Sequence, residues 1–458
     1  MEGDDPVIEI PLDPTGRAPL YRQIATHLMR MVQNGTLAPG DRLPGSRGLS
    51  TSLGLSRNTV VLAYDLLEDE GYIEQKGRRG AFVSWKGPHD TDDLEDDGPK
   101  WDMASGLPSL DLVPSGRLAA LARDALLSLG PGALCDTPPE GLLALRNALV
   151  KHAATRGIPA KRDEAVVTSG ARHALSVYIH AMALKGVKRL WIEELTYPEV
   201  RLMAQGAGLQ IASIPVEPMA FQASLSRILP GEMLYLIPSF HNPTGRTLSP
   251  EQRKYVLEAA SRIGFWIIED DAYGELRFGE SSVPALKSID RESRVLYLGS
   301  FSQLLFPGMR IGYVLTPEET RKEFLSVLER TSGSTSSLVQ HVINAFIEDR
   351  SLEVSLDLAR NSMASRMRTL CTSLDALLPR LPFEIPQGGI YLWLGTPGIS
   401  GDLAAEAAGR VSVGVVPGRL FSYHEEDIQA VRLSVSRLST VMIREAIERV
   451  ASAWNSLS

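Results

Sequence analysis

The run FWIIEDDAYGEL, residues 265–276, decides how the larger part of this chain folds. Its apolar half, 265–268, has the length of a buried strand and ends abruptly in Glu269, Asp270 and Asp271. A carboxylate at the end of a buried strand is costly unless a cation or a hydrogen-bond donor meets it, so acids placed there call for a partner. Three other apolar runs also end in small or polar residues. VVTSGARHAL (166–175) reads as a strand ending at Thr168 that turns through Ser169, Gly170 and Ala171 into a helix, whose first backbone amides point free, as in a phosphate site. LYLIPSFHNPTGRTL (234–248) delivers His241, Asn242, Pro243, Thr244 and Gly245, and VLYLGSFSQLLFPGMRIGYV (295–314) delivers Ser300, Phe301, Ser302 and Gln303, with Arg310 seven residues beyond Gln303. In open α/β sheets ligands gather at the carboxyl edge of the strands, so four such endings in this order predict one ligand site on one edge. From Trp101 onward apolar runs alternate with amphipathic stretches, which is the pattern of a large α/β domain.

The amino-terminal part reads differently. Leu20, Ile24, Leu28, Met31 and Val32 recur at helical steps after Pro19, and Gly35 ends that helix. A second, short helix carries Leu49 and Leu53 and stops at Gly54; a third is capped by Ser56 and faces inward with Val60, Tyr64 and Leu67. After Gly71 the alternation in YIEQKGRRGAFVSW (72–85) predicts two short strands around the basic tip GRRG (77–80). Three helices and a basic hairpin put Ser56, Arg57, Asn58 and Thr59 at the end of the third helix, where a major groove is usually read, and Arg78 and Arg79 against phosphates.

Composition bounds the reading. With 458 residues, 44% apolar and 22% charged, the chain has material for a large core, and the length predicts two to four domains. The net charge of -8 is unevenly spread: ten Lys and Arg against six Asp and Glu lie between Arg17 and Lys86, while 87–100 holds six acids and one Lys with almost nothing apolar, a linker composition. Boundaries at 1–86, 87–100 and 101–458 follow. No apolar run approaches a membrane span, and the acidic start MEGDDP is unlike a secretory signal, so a cytosolic protein is expected. Cys135 and Cys371 lack nearby partners, which predicts neither a disulfide framework nor a metal site.

The segment from PLYRQI (19–24) through LAPGDRLPGSRGLS (37–50), GLSRNTVVLAY (54–64) and EGYIEQKGRRGAFV (70–83) resembles the winged helix of GntR-family repressors. That resemblance implies duplex DNA contacts by Arg47, Arg57, Asn58, Thr59 and the wing arginines; the tip GRRG departs from the Gly-Ser-Gly-Thr type tip common in the family. The four strand endings together resemble fold type I pyridoxal-phosphate enzymes of the aminotransferase class, and the fusion resembles the MocR subgroup of GntR regulators. This implies a large part over about 140–330 and a small part over about 331–458 with 101–139. It further implies that Ser169, Gly170, Ala171, Ser300 and Arg310 hold a cofactor phosphate, that Tyr197 in ELTYP (194–198) stacks on the pyridine ring, and that Asn242 and Tyr273 bond its 3-oxygen. By the same resemblance Asp270 would pair with the pyridinium nitrogen, with Asp271 the alternative. Arg432 in AVRLSVSRL (430–438) aligns with the family's arginine that grips an amino acid carboxylate, with Arg437 the second choice. A head-to-tail homodimer is implied as well.

Two positions depart from the enzyme pattern. Gln303 stands where the family carries the lysine that binds the cofactor aldehyde, and its amide nitrogen is neither nucleophilic nor basic. In CDTPPEGLLALR (135–146) the neighbourhood of Leu134, Cys135 and Asp136 holds no tyrosine, where relatives place one that reaches the neighbouring subunit's cofactor phosphate. Three readings follow, in order of preference. The first is a transcription regulator whose aminotransferase-like domain senses pyridoxal 5'-phosphate, bound without a lysine, or its external aldimine with a small amino acid or amine. The second is a regulator whose large domain is only a dimerisation scaffold. The third is an aminotransferase, working through a lysine from elsewhere or being the lysine-substituted form of one.

Overall fold

The computed structural model describes residues 10–13, 19–33, 36–84, 98–215, 217–279, 284–301 and 307–455. Gln303, the helix stop at Gly35, most of the acidic linker and the side chain of Arg78 lie outside the described residues. The chain divides into two compact units, Met1–Asp96 with Val113–Ser128, and Asp97–Leu112 with Leu129–Ser458.

In the first unit, three helices, α1 (Leu20–Gln33), α2 (Ser46–Leu53) and α3 (Arg57–Asp69), precede a hairpin of β1 (Ile73–Gln75) and β2 (Ala81–Val83). The buried stripe of α1 is Ile24, Ala25, Leu28, Met29 and Val32, so Met29 faces inward where the spacing predicts Met31. Ile24, Leu28 and Val32 follow one another at four-residue steps, and Ala25 and Met29 are the next row on that face. Gly54 closes α2 in the left-handed conformation (φ 66°), which a residue without Cβ adopts at little cost. Ser56 caps α3, its Oγ accepting the Thr59 amide at 3.2 Å. β1 and β2 pair antiparallel, Ile73 opposite Val83, and a single 3-10 turn at Gly77–Arg79 forms the tip. A further extended piece, unforeseen from the sequence, joins them: Val83 donates to Asp41 O, Leu43 to Ala81 O, and Arg42 bridges Phe82.

Helix α4 (Ser115–Leu129) also groups with this unit, although the resemblance places 101–139 with the small part of the larger domain. Two glycines permit it. A Cβ on Gly116 would lie 2.7 Å from Glu70 O and 2.8 Å from Gly71 Cα, so backbone meets backbone there.

The second unit is built on a seven-stranded sheet. After β3 (Trp101–Asp102) and α5 (Leu143–Thr155) come β4 (Ala165–Thr168), α6 (Ala171–Leu184), β5 (Arg189–Glu193), α7 (Pro198–Gly206), β6 (Gln210–Ile214), α8 (Pro218–Leu225), β7 (Met233–Leu236), α9 (Pro250–Ile263), β8 (Trp266–Asp270), α10 (Leu286–Ile289), β9 (Val295–Ser300) and β10 (Gly312–Leu315). The sheet order is β4-β10-β9-β8-β7-β5-β6, with β10 antiparallel to both neighbours and the other pairs parallel. Strands buried on both faces read as continuous apolar runs, as β7, β8 and β9 do. Helices α11 (Glu318–Thr331), α12 (Ser337–Glu348) and α13 (Ser351–Leu377) lead to β11 (Tyr391–Gly395), α14 (Gly401–Arg410), β12 (Val413–Gly414), β13 (Val416–Pro417), β14 (Ala430–Ser434) and α15 (Thr440–Asn455). There β11, β14 and β13 form a small antiparallel sheet, and β12 pairs in parallel with β3.

Candidate functional site

Sheet order brings the separate strand endings together. Thr168, Gly312 and Ser300 lie opposite one another on β4, β10 and β9, so the turn Ser169–Ala171, Ser300 and the approach from Arg310 share one edge. Gly312 is required by closeness: a Cβ there would lie 2.9 Å from Gly170 Cα and 3.1 Å from Ala171 N. Arg310 is exposed and held left-handed (φ 49°), a conformation uncommon outside glycine. His173, in the first turn of α6, accepts the Ser169 amide at 3.2 Å through Nδ1, and its buried Nε2 has no hydrogen-bond partner. Burial and the Arg310 charge push its pKa down, so it stands neutral beside a cation. This edge offers backbone amides and a guanidinium to an anion.

Further along the same edge, β8 ends at Asp270. Its Oδ2 accepts from Tyr235 Oη at 2.7 Å and its Oδ1 from the Ala272 amide at 3.2 Å. Burial pushes its pKa up to about 6 despite those two donors. Asp271 is spoken for elsewhere: Arg156 Nη2 lies 2.7 Å from it and Tyr297 Oη donates at 2.9 Å. The pleat sends successive side chains to opposite faces, so Asp270 faces the edge with Tyr235 while Asp271 joins a buried network with Arg156, Glu275 and His152. Of the two acids, Asp270 is the one whose charge has no cation on it.

Tyr197 sits at the amino-terminal cap of α7, half-buried against the core. Burial raises its pKa to about 12, with Arg172 opposing. Asn242 is buried and accepts from Arg432 Nη1 at 2.9 Å. Tyr273 Oη donates to Tyr391 Oη at 3.2 Å, the two rings meeting edge to face. Arg432 reaches the site from β14, and its guanidinium lies 4.1 Å from the Tyr391 ring centroid and 4.7 Å from that of Phe421. Its Nη2 donates to Ala104 O, its Nε is buried without a partner, and no carboxylate among the described residues pairs with it. Arg437, by contrast, is bound to Asp102 at 3.1 Å.

Lysines are informative by location. Lys287 is the one buried lysine among the described residues. Its Nζ lies 3.3 Å from Glu164, just before β4, whose opposite end carries Thr168 and the turn. It therefore serves the edge of the sheet away from Asp270.

In the first unit, Arg47, Ser56, Arg57, Asn58 and Arg79 are exposed and Thr59 is half-exposed. Ser56 and Thr59 bond each other through their hydroxyls at 2.8 Å, and Arg57 Nε donates to Ser46 Oγ at 3.2 Å. The third helix thus presents Arg57 and Asn58 outward from a capped start.

Sequence reasoning missed Tyr235, Tyr391, His173, Phe421 and Ala104. Tyr235 lay within a quoted run, but only the neighbouring strand shows that its hydroxyl reaches Asp270. His173 lay in the turn sequence itself.

Residues 99–450 match the family of class I and II aminotransferases, and residues 20–83 match the gntR family of bacterial regulatory proteins. The chain belongs to the class I and II aminotransferases. This aminotransferase-family chain is similar to the HTH-type transcriptional regulator YisV of Bacillus subtilis, at 29% identity over 82% of this chain and 84% of the relative. It is also similar to the probable rhizopine catabolism regulatory protein MocR of Rhizobium meliloti, at 26% identity over 97% and 96%. Among solved structures it resembles LysN, an α-aminoadipate aminotransferase of Thermus thermophilus complexed with N-(5'-phosphopyridoxyl)-L-leucine, with a TM-score of 0.72 and 28% identity over 78% of this chain and 92% of that one. The architecture is a gntR winged helix followed by a fold type I aminotransferase domain. No helix among the described residues is long and apolar enough to cross a membrane.

Proposed function

We propose that this protein is a cytoplasmic transcription regulator: its winged helix binds a duplex DNA operator, and its aminotransferase-like domain binds pyridoxal phosphate, or an adduct of it with a small amino acid or amine, as effector. The observation that carries the reading is Arg432, a buried guanidinium facing Asn242 and the Asp270 edge with only neutral acceptors around it. A buried cation of this kind calls for an anion. The cramped Gly312 cradle beside the Ser169–Ala171 amides and Asp270 without a cation fit a phosphorylated, ring-protonated group in the same way. When bound, that group supplies an aldehyde that captures amines and a ring that withdraws electrons.

The residues divide the work. Ser169, Gly170, Ala171, Ser300 and Arg310 hold the phosphate, Tyr197 covers one ring face, Asp270 fixes a proton on the ring nitrogen, and Asn242 and Tyr273 orient the ring oxygen. Arg432 takes the carboxylate. Gln303 forms no covalent bond, and Lys287, the buried lysine, is committed to Glu164 at the far end of β4. Retention is then an equilibrium set by concentration, which suits a sensor better than a turnover enzyme. Arg47, Ser56, Arg57, Asn58, Thr59, Arg78 and Arg79 form the DNA face, and two winged helices of a head-to-tail homodimer read paired half-sites. The working boundaries are 1–86 for the DNA-binding part, 87–100 for the linker and 101–458 for the sensor.

The test is a visible-absorbance titration of the full chain with pyridoxal phosphate, before and after borohydride and desalting. Saturable binding that borohydride does not fix to the protein is expected. A reducible, protein-linked cofactor would restore the aminotransferase reading, and no binding at millimolar cofactor would leave a scaffold.

A further inference from the structure

Tyr273, assigned above to the ring oxygen, has already given its proton away. A phenol carries one O–H donor, and that of Tyr273 goes to Tyr391 Oη at 3.2 Å. If Tyr273 turns this proton onto a ring oxygen, the contact between the two hydroxyls survives only with Tyr391 as the donor.

Tyr391 is built into place for that exchange. It opens β11, where the pleat sends Leu392 and Leu394 into the core and Tyr391 to the opposite face. Two glycines bring the strand in close: a Cβ on Gly388 would overlap the Phe240 ring, and one on Gly389 would lie 2.7 Å from Phe240 Cβ. β11 therefore starts against the turn that carries Asn242. Gly106 closes over the Tyr391 hydroxyl so tightly that a Cβ could not fit, and the Tyr273 ring meets the Tyr391 ring edge to face with centroids 5.4 Å apart. Both tyrosines are buried, which leaves little room for water to act as donor in place of Tyr391.

The surrounding charge favours the reversed direction. Burial pushes the Tyr273 pKa well above its ordinary value, with Tyr391 adding to the rise and Arg432 opposing it, so Tyr273 keeps its proton at neutral pH. The Arg432 guanidinium stands 4.1 Å from the Tyr391 ring centroid. A cation at that end of the pair favours negative charge drawn from an ionised ring oxygen through Tyr273 toward Tyr391, and in a chain of hydrogen bonds each donor polarises the next. Asn242 is consistent with this: its Oδ1 accepts from Arg432 Nη1, which leaves its NH2 group for a ring oxygen.

We propose that Tyr391 is a positioning residue for the ring oxygen of bound pyridoxal phosphate and acts through Tyr273. Tyr273 turns its proton onto the ring oxygen, Tyr391 turns its own onto Tyr273 Oη, and the two hydroxyls together hold the ring oxygen ionised. No proton leaves either tyrosine; the hydrogen bond between them reverses. The inference rests on the proposed binding of pyridoxal phosphate and adds a residue that does not touch it.

A double-mutant cycle on the full-length protein tests this, with Tyr391→Phe, Tyr273→Phe and the two combined. Pyridoxal phosphate is the probe, and visible absorbance reads both its affinity and the ionisation of its ring oxygen. Tyr391→Phe is expected to weaken binding roughly threefold to tenfold, the effect of one hydrogen bond. It is also expected to raise, by roughly half a unit to one unit, the pH at which the yellow band of the ionised ring gives way to that of the protonated form. In the Tyr273→Phe background the same substitution is expected to change neither, because the relay is already cut. Thermal unfolding of the ligand-free variants reports that each is folded. Equal losses on Tyr391→Phe in both backgrounds overturn the proposal, since Tyr391 then acts by packing alone, and leave the sensor reading standing. An unshifted band in Tyr391→Phe overturns it too. Absence of binding by the parent protein at millimolar pyridoxal phosphate overturns both.

Discussion

At the scale of single residues, Asp270 has the clearest electrostatic consequence. Its folded pKa, about 6, lies above the ordinary 3.8, so its bound proton stabilises the fold below about pH 4 and that contribution is lost as pH rises through 6. Glu269, pushed up by burial and by the neighbouring Asp271, acts in the same direction. Asp270→Asn is expected to flatten the stability of the ligand-free protein between about pH 4 and 6, removing on the order of 2–3 kcal/mol of pH dependence, as urea unfolding at several pH values would show. The same variant is expected to bind pyridoxal phosphate at least roughly tenfold more weakly at pH 7, since the ring proton loses its counter-charge. An unchanged pH slope would mean that the donors from Tyr235 and Ala272 already keep Asp270 ionised. The family resemblance preferred Asp270 over Asp271 and Arg432 over Arg437, and in each pair the residue not preferred holds an ion pair inside the fold.

Elements carry the next level of consequence. The Ser56 cap satisfies one of the orphan amides at the start of α3, the helix that presents Arg57 and Asn58. Ser56→Ala is expected to cost about 1 kcal/mol of winged-helix stability and to weaken operator binding, measured by thermal unfolding and by a gel or anisotropy titration at fixed salt. A second element depends on the absence of a side chain. In Gly116→Ala the added methyl meets Glu70 O and Gly71 Cα inside contact distance, so α4 must shift from the end of α3 at an expected cost of about 1–3 kcal/mol. Proteolysis within 113–128 that is faster in Gly116→Ala than in the parent protein would confirm that this helix is docked through the two glycines. Wild-type rates would show that the contact contributes nothing.

For the molecule as a whole, the decisive feature is a charge network that joins separate parts of the sensor unit. Glu275, just beyond Tyr273, meets His152 on α5 at 3.2 Å, Arg156 at the cap just after α5 at 3.8 Å, and Arg360 on α13 at 2.8 Å. Burial pushes Glu275 up, but the His152 hydrogen bond and the arginine charges outweigh it and hold its pKa at about 2. Its contribution is therefore full above the ordinary 4.5 and is lost as pH falls toward 2, opposite in sign to that of Asp270. Glu275→Gln leaves Arg156 and Arg360 with one carboxylate fewer and is expected to destabilise the unit by roughly 3 kcal/mol at pH 7. Calorimetry would read this as a lower Tm for the sensor unit, with the effect vanishing near pH 2.

The sequence by itself determined the two-part plan, the helices and wing of the first part, the alternation of strands and helices in the second, and the short list of strand-end residues. Local periodicity reports which side of an element is buried, and small or charged residues at the end of an apolar run report an edge, so both survive without coordinates. Only the tertiary structure decided what those residues meet. Tyr235 on Asp270, Tyr391 on Tyr273, and Ala104 on Arg432 more than 300 positions away are contacts between elements distant in sequence. The assignment of Lys287 to the far edge and of α4 to the first unit likewise follows from strand order and from a close approach of two glycines. Periodicity is a property of one element, whereas partners are set by how elements stack, and that is fixed by the burial of the whole core.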